Sequence, residues 1–234
     1  MTDVVYVVRD GENPELRYSM RSLQNVNHDN VWVIGGSPSW LNHDFVEHIP
    51  RIRGGSAYRT TREHIRAACN TRQISDPFML WNDDFFAMRW VGDVPLYHRG
   101  PLVEMLDEFK TVKTPWANGL RATAGAIQRS ETYTGSEHLS YDAHLPLIVH
   151  KGEMMHALRD ASKLNIDAVH TRTLYGNRIG GGVYHPDPKM MSRSQAFPRG
   201  AWLSSSSNTF PGIIEPVLRY IFPDPSIYES EFHG

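Results

Sequence analysis

Three short apolar runs, each closed by turn chemistry, constrain this chain most. Val4 to Val8 is continuous and β-branched, and it runs into Asp10-Gly11-Glu12-Asn13-Pro14. Val31 to Ile34 stops at Gly35-Gly36, and Phe78 to Trp81 stops at Asn82-Asp83-Asp84. Apolar runs this short, without alternation, read as strands buried on both faces. Between them lie helical patterns. Leu16, Met20 and Leu23 recur at helical spacing, and a second helix capped by Thr60 or Thr61 is expected to run through Ala68. Trp40, Phe45 and Ile49 suggest a short helix and a return to the sheet. This succession predicts an α/β fold with a mainly parallel central sheet covered on both faces. Ligands of such sheets bind beyond the carboxyl ends of the strands, where Asp10, Gly35 and the Asp83-Asp84 pair fall.

The second half is less regular. Leu102 to Phe109 and the amphipathic stretch Gly152 to Lys163 read as helices. Tyr175 to Gly182 reads as a glycine-rich loop and Ser204 to Asn208 as a turn or flexible segment. A last helix is expected within Ile213 to Phe222, provided that Pro216 lies in its first turn. These patterns divide the chain into a main body, residues 1–200, and a C-terminal tail, residues 201–234, with a short helix.

Composition narrows the chemistry. The formal net charge of −2 shows no basic field for nucleic acid or an anionic membrane, although a local basic groove is compatible with it. A lone cysteine, Cys69, excludes an intramolecular disulfide or a Cys-based zinc site and suggests a reducing compartment. Charge and turn residues interrupt the N-terminal apolar stretch at once, unlike a signal peptide, and no apolar run approaches the ~20 residues of a spanning helix. A soluble, cytoplasmic protein with no membrane partner is the expectation. The chain has no GxGxxG, no GxxxxGK[ST], no HExxH and no GxSxG, so phosphate loops of those types, zincin chemistry and a serine elbow lack support.

Four constellations remain. Two carboxylates at a strand end, Asp83 and Asp84, suit Mg²⁺ or Mn²⁺, hard cations that take oxygen ligands and bridge to phosphates; equally, Asn or Asp after a strand opens a turn or caps a helix. His144, in the non-helical "YDAHLP", has the residue type to take a proton from an attacking hydroxyl, or it is one more satisfied histidine among 12. Arg121 and Arg172 offer planar forks suited to phosphate oxygens, or ordinary surface ion pairs.

Taken together, "DVVYVVRDGENP", "ELRYSMRSL", "VWVIGGSPSWLN", "FMLWNDDFF" and "AHLPLIVHK", in that order, resemble the conserved regions of the Stealth family of sugar-phosphate transferases. "HTRTLYGN" is similar to the family's fourth region. The chain also resembles short phage-encoded proteins called glycosyltransferases, through "RTLYGN" and "FPDPSIYE". The Stealth resemblance implies a GT-A-like nucleotide-sugar-binding sandwich. It also implies Mg²⁺ or Mn²⁺ at Asp83 and Asp84, a nucleotide-sugar donor and a hydroxyl acceptor on a glycan, a protein or modified nucleic acid. By the same resemblance His144 is the base, Arg121 and Arg172 contact phosphate, and Asp10 and Gly11 meet the nucleotide. Arg17 and Ser19 belong to the shared motif, and Gly35 closes the second strand near the cofactor. The implied reaction moves sugar-1-phosphate to a hydroxyl. The rivals are a glycosyltransferase that moves the sugar itself and a binding module without chemistry.

Overall fold

The computed structural model describes residues 2–133 and 137–230. The three apolar runs are strands β1 (Val4–Val8), β2 (Val31–Gly35) and β4 (Phe78–Asn82), and β3 (Val46–Pro50) joins them. They lie in the order β3-β2-β1-β4 and run parallel, and β7 (Leu147–Val149) closes the far edge antiparallel to β4. The architecture is mixed α/β with a mainly parallel five-stranded sheet, as the sequence pattern predicts. Register puts Val4 beside both Val31 and Met79, so side chains of like parity share a face.

Each face has its own core. Val5, Ile34, Phe78 and Leu80 point to one side. There they meet α2 (Ala57–Asn70), α4 (Pro115–Gln128), α5 (Lys151–Lys163) and α6 (Thr171–Ile179) through Ile65, Leu120, Leu158 and Leu174. Val4, Tyr6, Val33 and Trp81 point to the other side, against Leu16 and Met20 of α1 (Pro14–Ser22). A short ribbon of β5 (Phe85–Ala87) and β9 (Trp202–Ser204) extends that side. Two-residue strands β6 (Tyr97–His98) and β8 (Val183–Tyr184) pair separately, and α3 (Leu102–Glu108) precedes α4. Among the described residues no helix is long and apolar enough to cross a membrane.

Local chemistry explains several departures from the sequence pattern. No helix joins β2 to β3. Asn42 instead nucleates a turn, its side chain accepting from Asp44 N and its carbonyl from Phe45 N and Val46 N, while Trp40 is pinned by its indole bond to the Glu12 carbonyl. The cap of α2 is Ser56, not Thr60 or Thr61, so the helix starts a turn earlier. Tyr175 to Ile179 is helical rather than loop, because Gly176 is a packing glycine: a Cβ there would lie 2.1 Å from the Tyr141 ring. The glycine loop begins only at Gly180, which ends α6 with φ +68°. Ser204 and Ser205 are fully buried, so that serine run is no loose segment. Helix α7 (Glu215–Ile221) does hold its proline in the first turn, as expected.

The C-terminal segment is no appendage. Its strand β9 pairs with β5, and Phe210, Ile214 and Leu218 pack on Tyr18 and Phe86. Buried Glu229 receives two hydrogen bonds from Arg21 of α1, at 2.8 and 2.7 Å. Residues 231–234 of the expected tail lie outside the described residues.

Candidate functional site

A cleft of ≈ 440 Å³ opens at the carboxyl ends of β1 and β4. Val8 and Arg9 come from the end of β1, Asn82-Asp83-Asp84 from the end of β4, and Ser205 to Ser207 from beyond β9. A neighbouring cleft of ≈ 270 Å³ shares the wall formed by Val7, Thr61 and Asn82 and contains His144, His170, Arg172 and Trp116. Parallel strands supply this arrangement, since their carboxyl ends all face the same edge.

The carboxylate pair sits where the sequence placed it. Asp83 and Asp84 form the tight turn between β4 and β5, with side chains 19% and 15% exposed. Asp83 accepts from Asn13 Nδ2 at 2.7 Å and lies 3.8 Å from Arg9 Nε. Asn13 serves two ends: its Oδ1 caps α1 through Leu16 N while its amide nitrogen holds Asp83. Burial, then the charges of Asp84 and Glu15, push the Asp83 carboxyl up to about 6, despite the Asn13 bond and Arg9. Asp84 is matched by Lys189 Nζ at 3.1 Å and Ser204 Oγ at 3.2 Å. Glu15 is matched by Arg9 at 2.9 Å and Ser205 Oγ at 2.8 Å.

His144 is oriented by a carboxylate. Its Nδ1 lies 3.0 and 2.9 Å from the two oxygens of Asp187. A carboxylate only accepts, so Nδ1 carries a proton; in the neutral ring Nε2, which has no partner among the described residues, then presents a lone pair. Burial alone would raise the Asp187 carboxyl, but the His144 bonds and the Arg99 charge hold it below the usual carboxylate range. The loop Asp187-Pro188-Lys189 therefore orients His144 at one end and Asp84 at the other. The His144 ring also packs edge-on against Phe85, the residue after Asp84, with centroids 6.4 Å apart.

Arg172 lines the smaller cleft and acts largely as a clamp. Its Nη1 donates to the carbonyls of Ala143 and Leu145, at 2.6 and 2.7 Å, the residues on either side of His144. Its guanidinium lies 5.4 Å from the Phe85 ring centroid, and its Nη2 is buried without a hydrogen-bond partner. In the same cleft His170 Nδ1 sits 3.0 Å from Asp142 without hydrogen-bond geometry, and Asp142 accepts from Trp116 Nε1. Burial opposes charge on both, yet their mutual attraction outweighs it, holding Asp142 well below and His170 above their ordinary values.

Other residues chosen from the sequence lie elsewhere. Arg121 donates to the carbonyls of Phe109 and Val112 and to Asn118 Oδ1, fastening the turn after α3 to α4, and it lines neither cleft. Arg17 stacks on Trp40 at 5.0 Å and lies 3.5 Å from Glu229. Ser19 is fully buried, donating to the Phe85 carbonyl at 2.6 Å and meeting Tyr6 and Trp81. Gly35 makes room: a Cβ there would lie 2.1 Å from the Val8 carbonyl. Asp10 is exposed and pairs with Arg51, itself on the cleft wall, and Gly11 turns the chain after β1 with φ +115°. Asp187, Lys189, Glu15, His64 and the buried serines were not singled out from the sequence. Asp187 had one local signal, its place between Pro186 and Pro188 in a stiff loop.

The donor set fits a divalent cation only in part. Among the described residues no group of three or more His, Cys, Asp or Glu side chains is spaced to hold a metal. Magnesium, however, is commonly held by one or two carboxylates, with substrate phosphates and water completing its shell. The raised Asp83 carboxyl, beside Asp84 and Glu15, marks negative charge that a cation would relieve. No protein-family model matches the chain, and no curated protein does.

Proposed function

We propose that the protein is a metal-dependent nucleotide-sugar transferase that moves sugar-1-phosphate to an acceptor hydroxyl, on a GT-A-like sandwich of the kind the Stealth resemblance implies. One observation carries the reading: the Asp187-Pro188-Lys189 loop ties His144 to Asp84, and His144 lies in the cleft adjoining that of the Asp83-Asp84 turn, the two clefts sharing Asn82. A base poised beside a carboxylate pair at the strand ends is what hydroxyl attack on a diphosphate requires. Asp83 and Asp84 would hold Mg²⁺ or Mn²⁺, which would supply charge neutralisation of the pyrophosphate.

The chain's own residues account for the rest. Arg9, Arg51 and Lys189 surround the donor's phosphates, each already matched to a carboxylate and so held in place. His144 Nε2 takes the acceptor proton as the acceptor oxygen bonds to the β-phosphorus. The bond from that phosphorus to the bridging oxygen breaks, and the bridging oxygen leaves on a nucleoside monophosphate. Asp187 stabilises the imidazolium that forms, until its proton passes to solvent. Arg172 fixes the backbone on both sides of the base.

Incubation with candidate nucleotide sugars, Mn²⁺ and a hydroxyl acceptor tests this. A nucleoside monophosphate with phosphorus carried to the acceptor is the expected product. A diphosphate with phosphorus-free acceptor would establish glycosyl transfer instead, and no turnover with any donor would leave a binding module. His144→Ala is expected to lower turnover about 10²–10⁴-fold with donor affinity nearly unchanged.

A further inference from the structure

Helix α2 turns an unusual face to the larger cleft. Ala57, Thr60, Thr61 and His64 line it, at the spacing of one helical face, while its apolar stripe of Ile65, Ala68 and Cys69 packs on the sheet. The helix begins at this cleft, after the tight Gly54-Gly55-Ser56 loop, and Arg51 stands on the same wall. A helix start with a nearby cation favours an anion but does not make a site.

His64 supplies the second observation. It is 2% exposed, and its Nε2 lies 3.1 Å from Ile52 N, whose N–H donates to it. A backbone N–H only donates, so Nε2 carries the lone pair and the proton of the neutral ring is on Nδ1. That Nδ1 is buried with no hydrogen-bond partner. Burial, then the Arg51 charge, hold the imidazole below its ordinary range and so keep the ring neutral. The Ile52 amide holds one ring nitrogen, and the absence of a Cβ at Gly35, which would come within 3.0 Å of the ring, leaves room for it there. A latch for the loop at Ile52 would need Nε2 alone. The unused, oriented donor at Nδ1 needs another partner, because buried polar groups are otherwise satisfied.

We propose that His64 is a donor-binding residue whose Nδ1–H bonds to a phosphoryl oxygen of the nucleotide diphosphate at the start of α2. The inference rests on the nucleotide-sugar reading of the cleft. Two amide substitutions separate ligand contact from loop latching. In His64→Asn the side-chain NH₂ replaces Nδ1–H and the Ile52 acceptor is lost; in His64→Gln the amide oxygen keeps the Ile52 bond and the Nδ1 donor is lost.

Calorimetric titration with inorganic pyrophosphate and Mg²⁺ is the measurement. His64→Gln is expected to weaken binding about 10-fold or more, the weight of a hydrogen bond to a charged group, and His64→Asn by about 3-fold or less. The reverse order, equal affinities in both variants, or no binding by the unaltered protein would each overturn the proposal. Should either variant misfold, ring-nitrogen NMR of the unaltered protein decides: the His64 Nδ1 proton must move when pyrophosphate is added, and an unmoved proton overturns it. Donor turnover is read in parallel. The expected order without turnover sinks the transferase reading alone, and turnover with indifferent variants sinks the His64 contact alone.

Discussion

Asp83 carries its charge at a cost. Its carboxyl is raised from the ordinary 3.8 to about 6 by burial and by Asp84. A carboxyl raised by folding stabilises the fold in its protonated form. That contribution is full below the ordinary value and is lost as pH rises through about 6. At neutral pH the ionised group therefore opposes folding. Asp83→Asn is expected to stabilise the protein near pH 8 by roughly 1–3 kcal/mol, with the gain shrinking toward pH 4, while Mn²⁺-dependent nucleotide binding is lost. Urea unfolding at both pH values and calorimetry check the two halves. A variant less stable near pH 8 would show that Asp83 is a structural cap. At this scale the adjacent carboxylates were legible in the sequence because they interrupt an apolar run. Ser19, Arg17 and Arg121 were not separable from site residues there, because a hydroxyl or guanidinium looks the same whether it meets a ligand or a carbonyl.

Among the elements, β1, β2, β4, α1 and α5 could be read from the chain because burial imposes an apolar pattern on each. Helix α4 could not. Its sequence "PWANGLRATAGAIQ" is dominated by small residues, and its packing depends on close approach rather than on bulk. Gly119 shows this: a Cβ there would sit 1.7 Å from the Ala168 carbonyl oxygen, at the chain segment leading into α6. Gly119→Ala is expected to cost about 1–3 kcal/mol from overpacking, although alanine is the better helix former. Chemical denaturation measures this, and an unchanged or raised midpoint would show that α4 and the Ala168 segment separate freely. Strands β5 and β9 were likewise hidden, since each is three residues long and has meaning only beside the other.

For the whole molecule, the C-terminal segment is the decisive case. Glu229 is fully buried and takes a bidentate pair from Arg21, whose remaining nitrogen reaches the carbonyls of Phe222 and Pro223. Breaking a buried pair from one side strands the other charge. Glu229→Gln is expected to destabilise the protein by about 3–5 kcal/mol. It should also loosen β9 and the serines of the cleft, which depend on the same segment. Thermal unfolding and limited proteolysis of the variant test this. A midpoint within a degree or two of the unaltered protein would return the segment to the status of a tail.

The sequence by itself determined the parallel sheet and the carboxylate pair at its edge, because strand burial and an abrupt polar stop are local and periodic properties of the chain. Only the tertiary structure decided what meets there. Asp187 reaches His144 across 43 residues and Lys189 reaches Asp84 across 105, with Asn13 held to Asp83 across 70. Charge pairing and desolvation act through space, and no spacing along the chain encodes them until the strands have closed.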